Sequence, residues 1–206
     1  MGQKPMVVGI CGGSASGKTT FTEILTEKLS GFEPVVLNQD RYFRDWSGMP
    51  EIEREAARTS NHPRAVLWEH LVAHVADLRE GKTIEVPPPG TWSFGRGGEI
   101  QHIVPQSLAI VEGHLIFGSK ELRPLMDLKI FLDVDPHERV LRRMLRDTSN
   151  RTLEEAVAWY RRDVIPNFPV HTEATRQYAD LIIPFEGEVE TGVEVVVNGI
   201  RAMIDQ

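Results

Sequence analysis

Short apolar runs recur along the chain, and segments with helical periodicity separate them. The runs span residues 6–11, 34–37, 108–111, 128–134 and 181–183. Each run is too short for a helix and rich in aliphatic residues, so each is predicted to form a β-strand. The connections between these strands contain helical patterns, which favours crossover units and parallel pairing. The pattern predicts an α/β fold in which helices flank a parallel sheet of about five strands.

The helical segments place apolar residues three and four positions apart, which is the spacing of a buried helix face. One helix is predicted over residues 16–29. Another, over residues 65–80, follows a polar stretch at residues 41–64. Their apolar positions are Phe21, Ile24, Leu25 and Leu29 in the first helix and Leu67, Leu71, Val75 and Leu78 in the second. A long insert therefore separates the second predicted strand from the third.

Residues 82–104, KTIEVPPPGTWSFGRGGEIQHIV, contain two short apolar runs around a turn rich in proline and glycine. They are predicted to form a β-hairpin that projects from the sheet. A chain of 206 residues can bury a sizeable core. Residues 1–206 are therefore expected to form a single domain, with the hairpin as an insert and with a short lid.

Charge and cysteine content limit the expected partners and compartment. The formal net charge is −7 and there is no long basic run, so a nucleic-acid partner has little electrostatic support. The apolar runs are far shorter than a membrane span. Cys11 is the only cysteine, which excludes an internal disulfide and fits a reducing compartment. The protein is expected in the cytoplasm, without a nucleic-acid or membrane partner, and a homo-oligomer is compatible with its sequence.

The stretch GGSASGKTT, residues 12–20, directly follows the first predicted strand. Gly12 is followed by four residues and then by Gly17-Lys18-Thr19, which is the spacing of a phosphate-binding loop. Small residues let the backbone curl so that successive N–H groups point at an anion. The helix predicted to begin here adds the positive end of its dipole. A plain glycine turn is the alternative, but the strand before the motif and the helix after it favour the phosphate loop.

The loop predicts a nucleoside triphosphate site with defined roles. Lys18 is expected to reach the β- and γ-phosphates, and the hydroxyl of Thr19 is expected to ligate Mg²⁺. The residues predicted to bind the nucleotide are Gly13, Ser14, Ala15, Ser16, Gly17, Lys18, Thr19 and Thr20.

Carboxylates follow three of the predicted strands. In an open α/β sheet, ligands bind outside the carboxyl ends of the strands, so these residues are candidates for chemistry. Asp40 follows the second strand and Glu112 the third, and both are suited to position Mg²⁺ or to accept a proton from a hydroxyl group. Asp135 is interpreted instead as a helix N-cap, with Pro136 in the first turn and Glu138 completing a capping box.

Arginines share one face of the helix predicted after the fourth strand, and apolar residues are expected on the other face. The arginines are Arg139, Arg142, Arg143 and Arg146, and the apolar residues are Val140, Leu141, Met144 and Leu145. Like charges on one stripe repel each other, so a nearby anion would stabilise the arrangement. A solvated face is the alternative. Since phosphoryl transfer uses arginines near the γ-phosphate, residues 142–160 are interpreted as a lid.

Short segments of the chain occur in the order found in the uridine kinase and phosphoribulokinase family, which the sequence resembles over nearly its whole length. The segments are GGSASGKTT, NQDRYF, NHPRA, EGKTIEVP, VEGHLIF, ELRPLMDLKIFLDVD, RRMLRD and TRQYADLIIP. Their combination is far more specific than the phosphate loop alone. The resemblance implies a P-loop NTPase-type kinase fold, ATP as phosphate donor, Mg²⁺ as metal and a small-molecule alcohol as acceptor.

The resemblance also implies roles for individual residues. Asp40 is expected to be the general base, and Thr19, Asp40 and Glu112 are expected near the metal. Lys18, Arg143 and Arg146 complete the expected catalytic set. The residues expected to contact the acceptor are Tyr42, Asn61, Arg143 and Arg151.

The chain departs from the family where uridine kinases read the nucleoside. SNHPRAV stands where they typically have FDHPDAF, so Asn61 replaces the aspartate expected to hold the ribose. PPPGT stands where they have PVYDF, so Pro89 replaces a tyrosine, and Phe94 replaces a histidine. Trp159 replaces a glutamine. Because phosphate-handling residues are kept and base-reading residues are replaced, we expect a kinase whose acceptor is not uridine, or one that holds uridine differently.

Several alternatives remain open on the sequence alone. Within the enzyme class, the acceptor could be pantothenate, a pyridine riboside or a sugar phosphate. From another class, the protein could be a nucleotide-binding regulator without kinase activity. A GTPase switch would normally show Asn-Lys-x-Asp, which this chain lacks. An inactive binding protein would be expected to have lost Asp40 or Lys18, and both are present.

Overall fold

The computed structural model describes residues 4–149, 151–186 and 189–205. Its strands are β1 (Met6–Gly12), β2 (Val35–Asn38), β3 (Ile84–Val86), β4 (Gln101–Ile103), β5 (Leu108–Glu112), β6 (Leu128–Asp133) and β7 (Leu181–Pro184). Its α-helices are α1 (Lys18–Lys28), α2 (Glu51–Ala57), α3 (Trp68–Arg79), α4 (Trp92–Gly95), α5 (Pro136–Asp147), α6 (Leu153–Trp159), α7 (Ile165–His171) and α8 (Glu190–Ile204). Within these ranges, no helix is long and apolar enough to cross a membrane.

The main sheet has five parallel strands in the order β2-β5-β1-β6-β7, and β3 pairs antiparallel with β4. Helices cover both faces of the main sheet, so alternate residues of β1 enter different cores. Val8 and Ile10 pack with α1 and α8, whereas Val7 and Cys11 pack with α3. The predicted α/β fold, with its parallel sheet, flanking helices and hairpin, is confirmed.

Two helices begin later than the periodicity predicts. α1 begins at Lys18, because Gly17 has a left-handed φ of 85° that no helix residue adopts. α3 begins at Trp68, because Pro63–Ala65 form a separate 3-10 turn. The polar stretch before α3 contains α2, which has no buried residue.

The β3–β4 hairpin lies against the core, so the expected projection from the sheet is not observed. Ile84 and Val86 are buried in the same cluster as Leu71 and Leu78 of α3. Apolar side chains at alternate positions of β3 require such cover. The connection between the two strands contains α4, whose first turn is capped by the hydroxyl of Thr91.

The N-terminus of α5 is capped by Asp135, as predicted. Its Oδ1 accepts backbone N–H groups of the first turn at 2.8 and 3.3 Å, and Pro136 occupies the first helical position. The predicted capping box does not form. The carboxylate of Glu138 accepts Nε of Arg142 (2.7 Å) instead, because that side chain lies one turn away on the same face.

Candidate active site

The phosphate loop leads from β1 into α1, and its backbone requires small residues. A Cβ on Gly17 would lie 2.6 Å from the ring of Phe185, and a Cβ on Gly13 would overlap the guanidinium group of Arg139. Ala15 also has a positive φ, 64°, a conformation that is uncommon outside glycine and often marks functional sites. The loop therefore has the tightly curled backbone that an anion cradle requires.

Lys18 folds back over this loop. It is half-buried, and its ammonium group donates to the carbonyl oxygens of Gly12 (3.0 Å) and Gly13 (2.9 Å). An ammonium group has three N–H bonds, so one is left to face a phosphate oxygen. Burial lowers the pKa of Lys18, and the carboxylates of Asp40 and Glu112 oppose that shift.

Glu112, at the end of β5, is held by three side chains. Asn38 Nδ2 donates to its Oε1 (2.6 Å), and the hydroxyl of Thr22 donates to its Oε2 (3.4 Å). The hydroxyl of Thr19 lies 3.5 Å from both oxygens. Burial raises the pKa of Glu112, whereas the hydrogen bond from Asn38 lowers it. Asn38 also accepts the backbone N–H of Asp40 (2.7 Å), so it links the two carboxylates.

A cleft of about 260 Å³, the Asp40 cleft, brings most of the predicted residues together. The predicted residues that line it are Ser14, Ala15, Lys18, Thr19, Asp40, Asn61, Glu112, Arg143 and Arg146. Sequence reasoning missed Asn38, Phe43, Ser60 and His114, which also line it. All four lie close in sequence to a predicted site residue: Asn38 and Phe43 to Asp40, Ser60 to Asn61, and His114 to Glu112. Sequence proximity was therefore the signal that could have found them.

A second cleft of about 380 Å³, the loop cleft, lies along the phosphate loop. It shares Ala15, Lys18, Thr19 and Arg146 with the Asp40 cleft, so the two meet at the loop. Its other lining residues are Gly17, Thr20, Arg142 and Phe185. Of the predicted nucleotide-binding residues, Gly13 and Ser16 are buried and line neither cleft. They can contribute only through the backbone that they shape.

The oxygen donors near Lys18 fit Mg²⁺. Thr19, Glu112 and Asp40 present one hydroxyl and two carboxylates to the Asp40 cleft. In the described ranges no group of three or more His, Cys, Asp or Glu side chains could hold a metal by itself. Mg²⁺ usually takes only one or two protein carboxylates and completes its shell with water and substrate phosphates. The donor set therefore suits a metal that is held jointly with a nucleotide.

Helix α5 points its arginines, and not its leucines, towards the phosphate loop. Arg139 is buried with its guanidinium group 4.0 Å from the ring centroid of Phe168, and its Nη1 has no hydrogen-bond partner. Arg143 donates to the hydroxyl of Ser14 and to Asp147 Oδ2 (2.7 Å). Arg146 lines both clefts. The interpretation of this stripe as a solvated face is therefore wrong for Arg139 and Arg143.

The other face of α5, on which the apolar residues are expected, is partly exposed to solvent. The side chains of Leu141 and Leu145 are 61% and 79% exposed. Turning these leucines inward would turn the arginine face away from the loop. The contacts of Arg139 and Arg143 therefore set the rotation of this helix.

Tyr42 does not reach the site, which corrects its prediction as an acceptor contact. It is fully buried in the core on the α3 side of the sheet, and its hydroxyl pairs with His74 Nδ1 (3.0 Å). Burial raises the pKa of this hydroxyl. The 3-10 turn at Gln39–Tyr42 directs Tyr42 inward, and the next residue, Phe43, lines the Asp40 cleft instead.

Asn61 is held by Asp163, a residue that sequence reasoning missed. Asp163 is buried in the π-helical turn Tyr160–Val164. Its carboxylate accepts Asn61 Nδ2 (2.7 Å), the backbone N–H of Ser60 (3.1 Å) and the hydroxyl of Thr59. The carbonyl oxygen of Ser60 accepts Nε2 of His114 (2.7 Å), and burial lowers the pKa of that imidazole to about 4. One carboxylate thus holds both Ser60 and Asn61, two residues that line the Asp40 cleft.

Arg151 lies beside Trp159 at the edge of the site. Its guanidinium group is 5.8 Å from the indole centroid, and that of Arg143 is 4.6 Å from it. Arg151 does not line the Asp40 cleft. A role for Arg151 in acceptor binding therefore stays a prediction.

Comparisons with known proteins match this chain to one family over most of its length. The profile described as "Phosphoribulokinase / Uridine kinase family" matches residues 7–192. A uridine kinase of Ligilactobacillus salivarius (strain UCC118) is 36% identical over 203 residues, covering 98% of this chain and 95% of that protein. A uridine kinase of Bacillus subtilis (strain 168) is 34% identical over 208 residues, covering 100% of this chain and 98% of that protein.

Solved structures show the same fold at low sequence identity. A Silicibacter sp. TM1040 protein named as a fructose transport system kinase superposes with a TM-score of 0.69 at 20% identity, over 89% of this chain and 91% of that chain. The phosphoribulokinase from Rhodobacter spheroides gives a TM-score of 0.53 at 16% identity, over 82% of this chain and 68% of that chain.

Proposed function

Since the chain belongs to the phosphoribulokinase and uridine kinase family, and is thus a P-loop kinase of small molecules, we propose that it transfers the γ-phosphate of ATP to a hydroxyl group of a metabolite other than uridine. The observation that carries this proposal is the single cleft lined by Lys18, Asp40, Glu112 and Arg143. These side chains supply a phosphate-binding cation, a base, a metal-binding carboxylate and a second cation within one volume.

The phosphate loop and α5 handle the donor in this proposal. Lys18 neutralises charge on the β- and γ-phosphates. Thr19 and Glu112 would hold Mg²⁺, which supplies charge neutralisation to the same phosphates when bound. Arg143 and Arg146 approach from α5 and stabilise the charge on the transferred group. None of these residues forms a covalent bond, since phosphoryl transfer needs positioning and charge.

Asp40 handles the acceptor. Its exposed carboxylate accepts the proton of the acceptor hydroxyl as the oxygen attacks phosphorus. The bond from its backbone N–H to Asn38 Oδ1 (2.7 Å) fixes the turn that carries it. Asn61 faces the same cleft and donates its amide N–H to Asp163, so its Oδ1 is left to accept a hydrogen bond from the acceptor.

The whole chain is proposed to work as one kinase domain, in which residues 142–160 act as the lid. This segment holds the end of α5, which contacts the loop through Arg143, and it holds α6. Residue 150, within this segment, lies outside the described residues. Closure over the phosphates would exclude water, which otherwise competes with the acceptor.

Uridine is the second candidate acceptor, because the relatives above carry the name uridine kinase. We favour another alcohol, since Asn61, Pro89, Phe94 and Trp159 replace the side chains expected to read a pyrimidine nucleoside. Each hydrogen bond lost at a polar site costs about 0.5–1.5 kcal/mol net, so the loss of several should weaken the recognition of uridine by orders of magnitude. Uridine and cytidine are therefore expected to be poor acceptors.

A screen of alcohol-bearing metabolites for acceptor-dependent ADP release tests this proposal. A hit is expected to depend on Lys18, so Lys18→Ala should abolish turnover without unfolding the protein. Lys120→Ala is the matched control, because Lys120 is exposed and lines neither cleft. Turnover that survives in Lys18→Ala would contradict the kinase site, and uridine as the best acceptor would contradict our choice of acceptor.

A further inference from the structure

Two further clefts continue the Asp40 cleft away from the phosphate loop. The first, the tryptophan cleft, encloses about 200 Å³ and contains Trp46, Trp92 and Trp159. It shares Phe43 and Ser60 with the Asp40 cleft, so the two adjoin. An acceptor whose hydroxyl group faces Asp40 therefore has a path past Phe43 onto indole surfaces.

The second, the arginine cleft, encloses about 330 Å³. It shares Trp46, Trp92 and Arg58 with the tryptophan cleft, so it lies one step farther from Asp40. Arg54 and Arg96 complete its cationic lining. The order along the surface is thus base, aromatic surfaces and guanidinium groups.

The charge of these two clefts is opposite to that of the protein. The chain has a net charge of −7. The tryptophan and arginine clefts contain Arg44, Arg54, Arg58 and Arg96, against a single carboxylate, Asp45. The carboxylate of Asp45 already accepts the backbone N–H of Ser47 (2.9 Å).

The four arginines are also free of ion pairs with the residues that the structure describes. Arg96 lies 4.6 Å from the Trp92 centroid, and Arg44 lies 5.9 Å from that of Trp46. Stacking on an indole orients a guanidinium group and leaves its N–H edge open. Such edges bind oxyanions in a bidentate manner.

We propose that the tryptophan and arginine clefts form the far half of the acceptor site, and that the acceptor is an anionic alcohol whose phosphate or carboxylate group binds Arg54, Arg58 and Arg96. This inference rests on the proposed function, and it names the class of its substrate. The indoles cover the body of the acceptor between its hydroxyl group and its anion. A cationic pyridine riboside is disfavoured, because the same arginines repel it.

Matched pairs of alcohols test the inference on the intact protein. Pantothenate is compared with pantothenol, and ribose 5-phosphate with ribose, since only the first of each pair is anionic. The anionic member should have the higher kcat/KM by about tenfold or more, as expected for charge-assisted hydrogen bonds. That preference should fall as NaCl rises. A preference shown only by the pantothenate pair indicates a carboxylate acceptor, and one shown only by the ribose pair indicates a phosphate acceptor. Equal kcat/KM values within both pairs overturn the inference.

The double variant Arg54→Gln, Arg58→Gln assigns the preference to these residues. The ratio of kcat/KM between the anionic and the neutral member should fall about tenfold in the variant. It should stay unchanged in Arg162→Gln, because Arg162 is exposed and lines none of these clefts. An unchanged ratio in the double variant overturns the inference.

The two proposals fail in different ways. If neither member of a pair is phosphorylated, the two are compared as inhibitors of the best acceptor of the screen. Equal inhibition constants for the anionic and the neutral member then overturn the inference and leave the proposed function standing. If a neutral alcohol gives Lys18-dependent ADP release without any preference for anions, the kinase proposal stands and the inference is wrong. If no alcohol releases ADP, the proposed function is wrong and the inference is overturned with it.

Discussion

Asn61 Nδ2 lies 2.7 Å from Asp163 Oδ2, although 102 positions separate the two residues in the chain. At the scale of single residues, this contact gives a physical reason for the amide at position 61, where the resemblance to uridine kinases implies a carboxylate. Both side chains are buried. Two carboxylates at this distance would repel each other, so the carboxylate at Asp163 requires a donor at position 61.

Asn61→Asp, which introduces the carboxylate that the resemblance implies at this position, should therefore destabilise the protein. It removes a donor from Asp163 and places a like charge beside it, which we expect to cost about 1–3 kcal/mol at pH 7. The pKa of the introduced carboxyl should be raised in the folded state. The loss of stability should then be largest above that raised pKa and shrink as the pH falls below it. Urea unfolding at several pH values measures this.

The double variant Asn61→Asp, Asp163→Asn is the control, because it restores one donor and one carboxylate. It should recover most of the stability that Asn61→Asp loses. Equal stability of Asn61→Asp and the unmodified protein would show that the contact between the two residues has no energetic weight.

Asp40→Asn separates the two roles that the site allows for this carboxylate. If Asp40 is the general base, kcat should fall about 10²- to 10⁴-fold while the KM for ATP changes little. Asp205→Asn provides the control, since Asp205 is exposed and lines neither cleft. A change confined to ATP binding would instead assign Asp40 to metal positioning.

At the scale of secondary-structure elements, α5 turns its arginine face towards the phosphate loop and leaves leucines of its other face exposed. The inner side of α5 is cationic because it faces the phosphate loop, whose curled backbone is suited to bind an anion. Arg139 stacks on Phe168 and Arg143 bonds Ser14, whereas Leu141 and Leu145 are exposed. A hydrophobic stripe therefore does not mark the inner face of a helix that borders a phosphate site.

Leu141→Gln and Leu145→Gln test this orientation. Each should change the free energy of unfolding by no more than about 0.5 kcal/mol, as surface substitutions usually do. Leu71→Ala is the reference, because Leu71 of α3 is fully buried. It should lower the free energy of unfolding by about 2–5 kcal/mol. A loss of that size at Leu141 or Leu145, measured by urea unfolding, would show that α5 buries its leucines.

At the scale of the whole molecule, Cys11 reports on the integrity of the sheet. It is fully buried at the end of the central strand β1, and burial raises its pKa to about 11. At pH 8 only about one thiol in a thousand would be ionised at that pKa, and the sulfur is inaccessible. DTNB should therefore react with Cys11 only when the sheet opens, at a rate that rises with urea.

The same reaction serves as the folding control for every variant above. ATP with Mg²⁺ should slow the labelling of Cys11, because a ligand that binds only the folded state lowers the unfolded population. Rapid labelling of the native protein, at the rate of a free thiol, would contradict the burial of β1.

Much of the molecule follows from the sequence because the relevant physics is local. The strands β1, β2, β5, β6 and β7 were predicted from short apolar runs, since alternation and β-branching act within a few residues. The phosphate loop was predicted because glycine conformation, the lysine and the helix N-terminus form one contiguous motif. The Asp135 cap was predicted for the same reason, since it bonds N–H groups two and three residues away.

Only the tertiary structure decided which residues meet across the chain. Asp163 joins Asn61, Arg143 joins Ser14, and Phe43 rather than Tyr42 faces the Asp40 cleft. These pairings depend on packing between distant elements, which no local periodicity encodes. The tryptophan and arginine clefts belong to the same class, because they combine residues of α4 and α6 with the segment between β2 and α3, which contains α2. Local motifs thus predicted a nucleotide-binding loop, and the family resemblance implied a kinase. Long-range packing determined the clefts in which we propose that the acceptor binds.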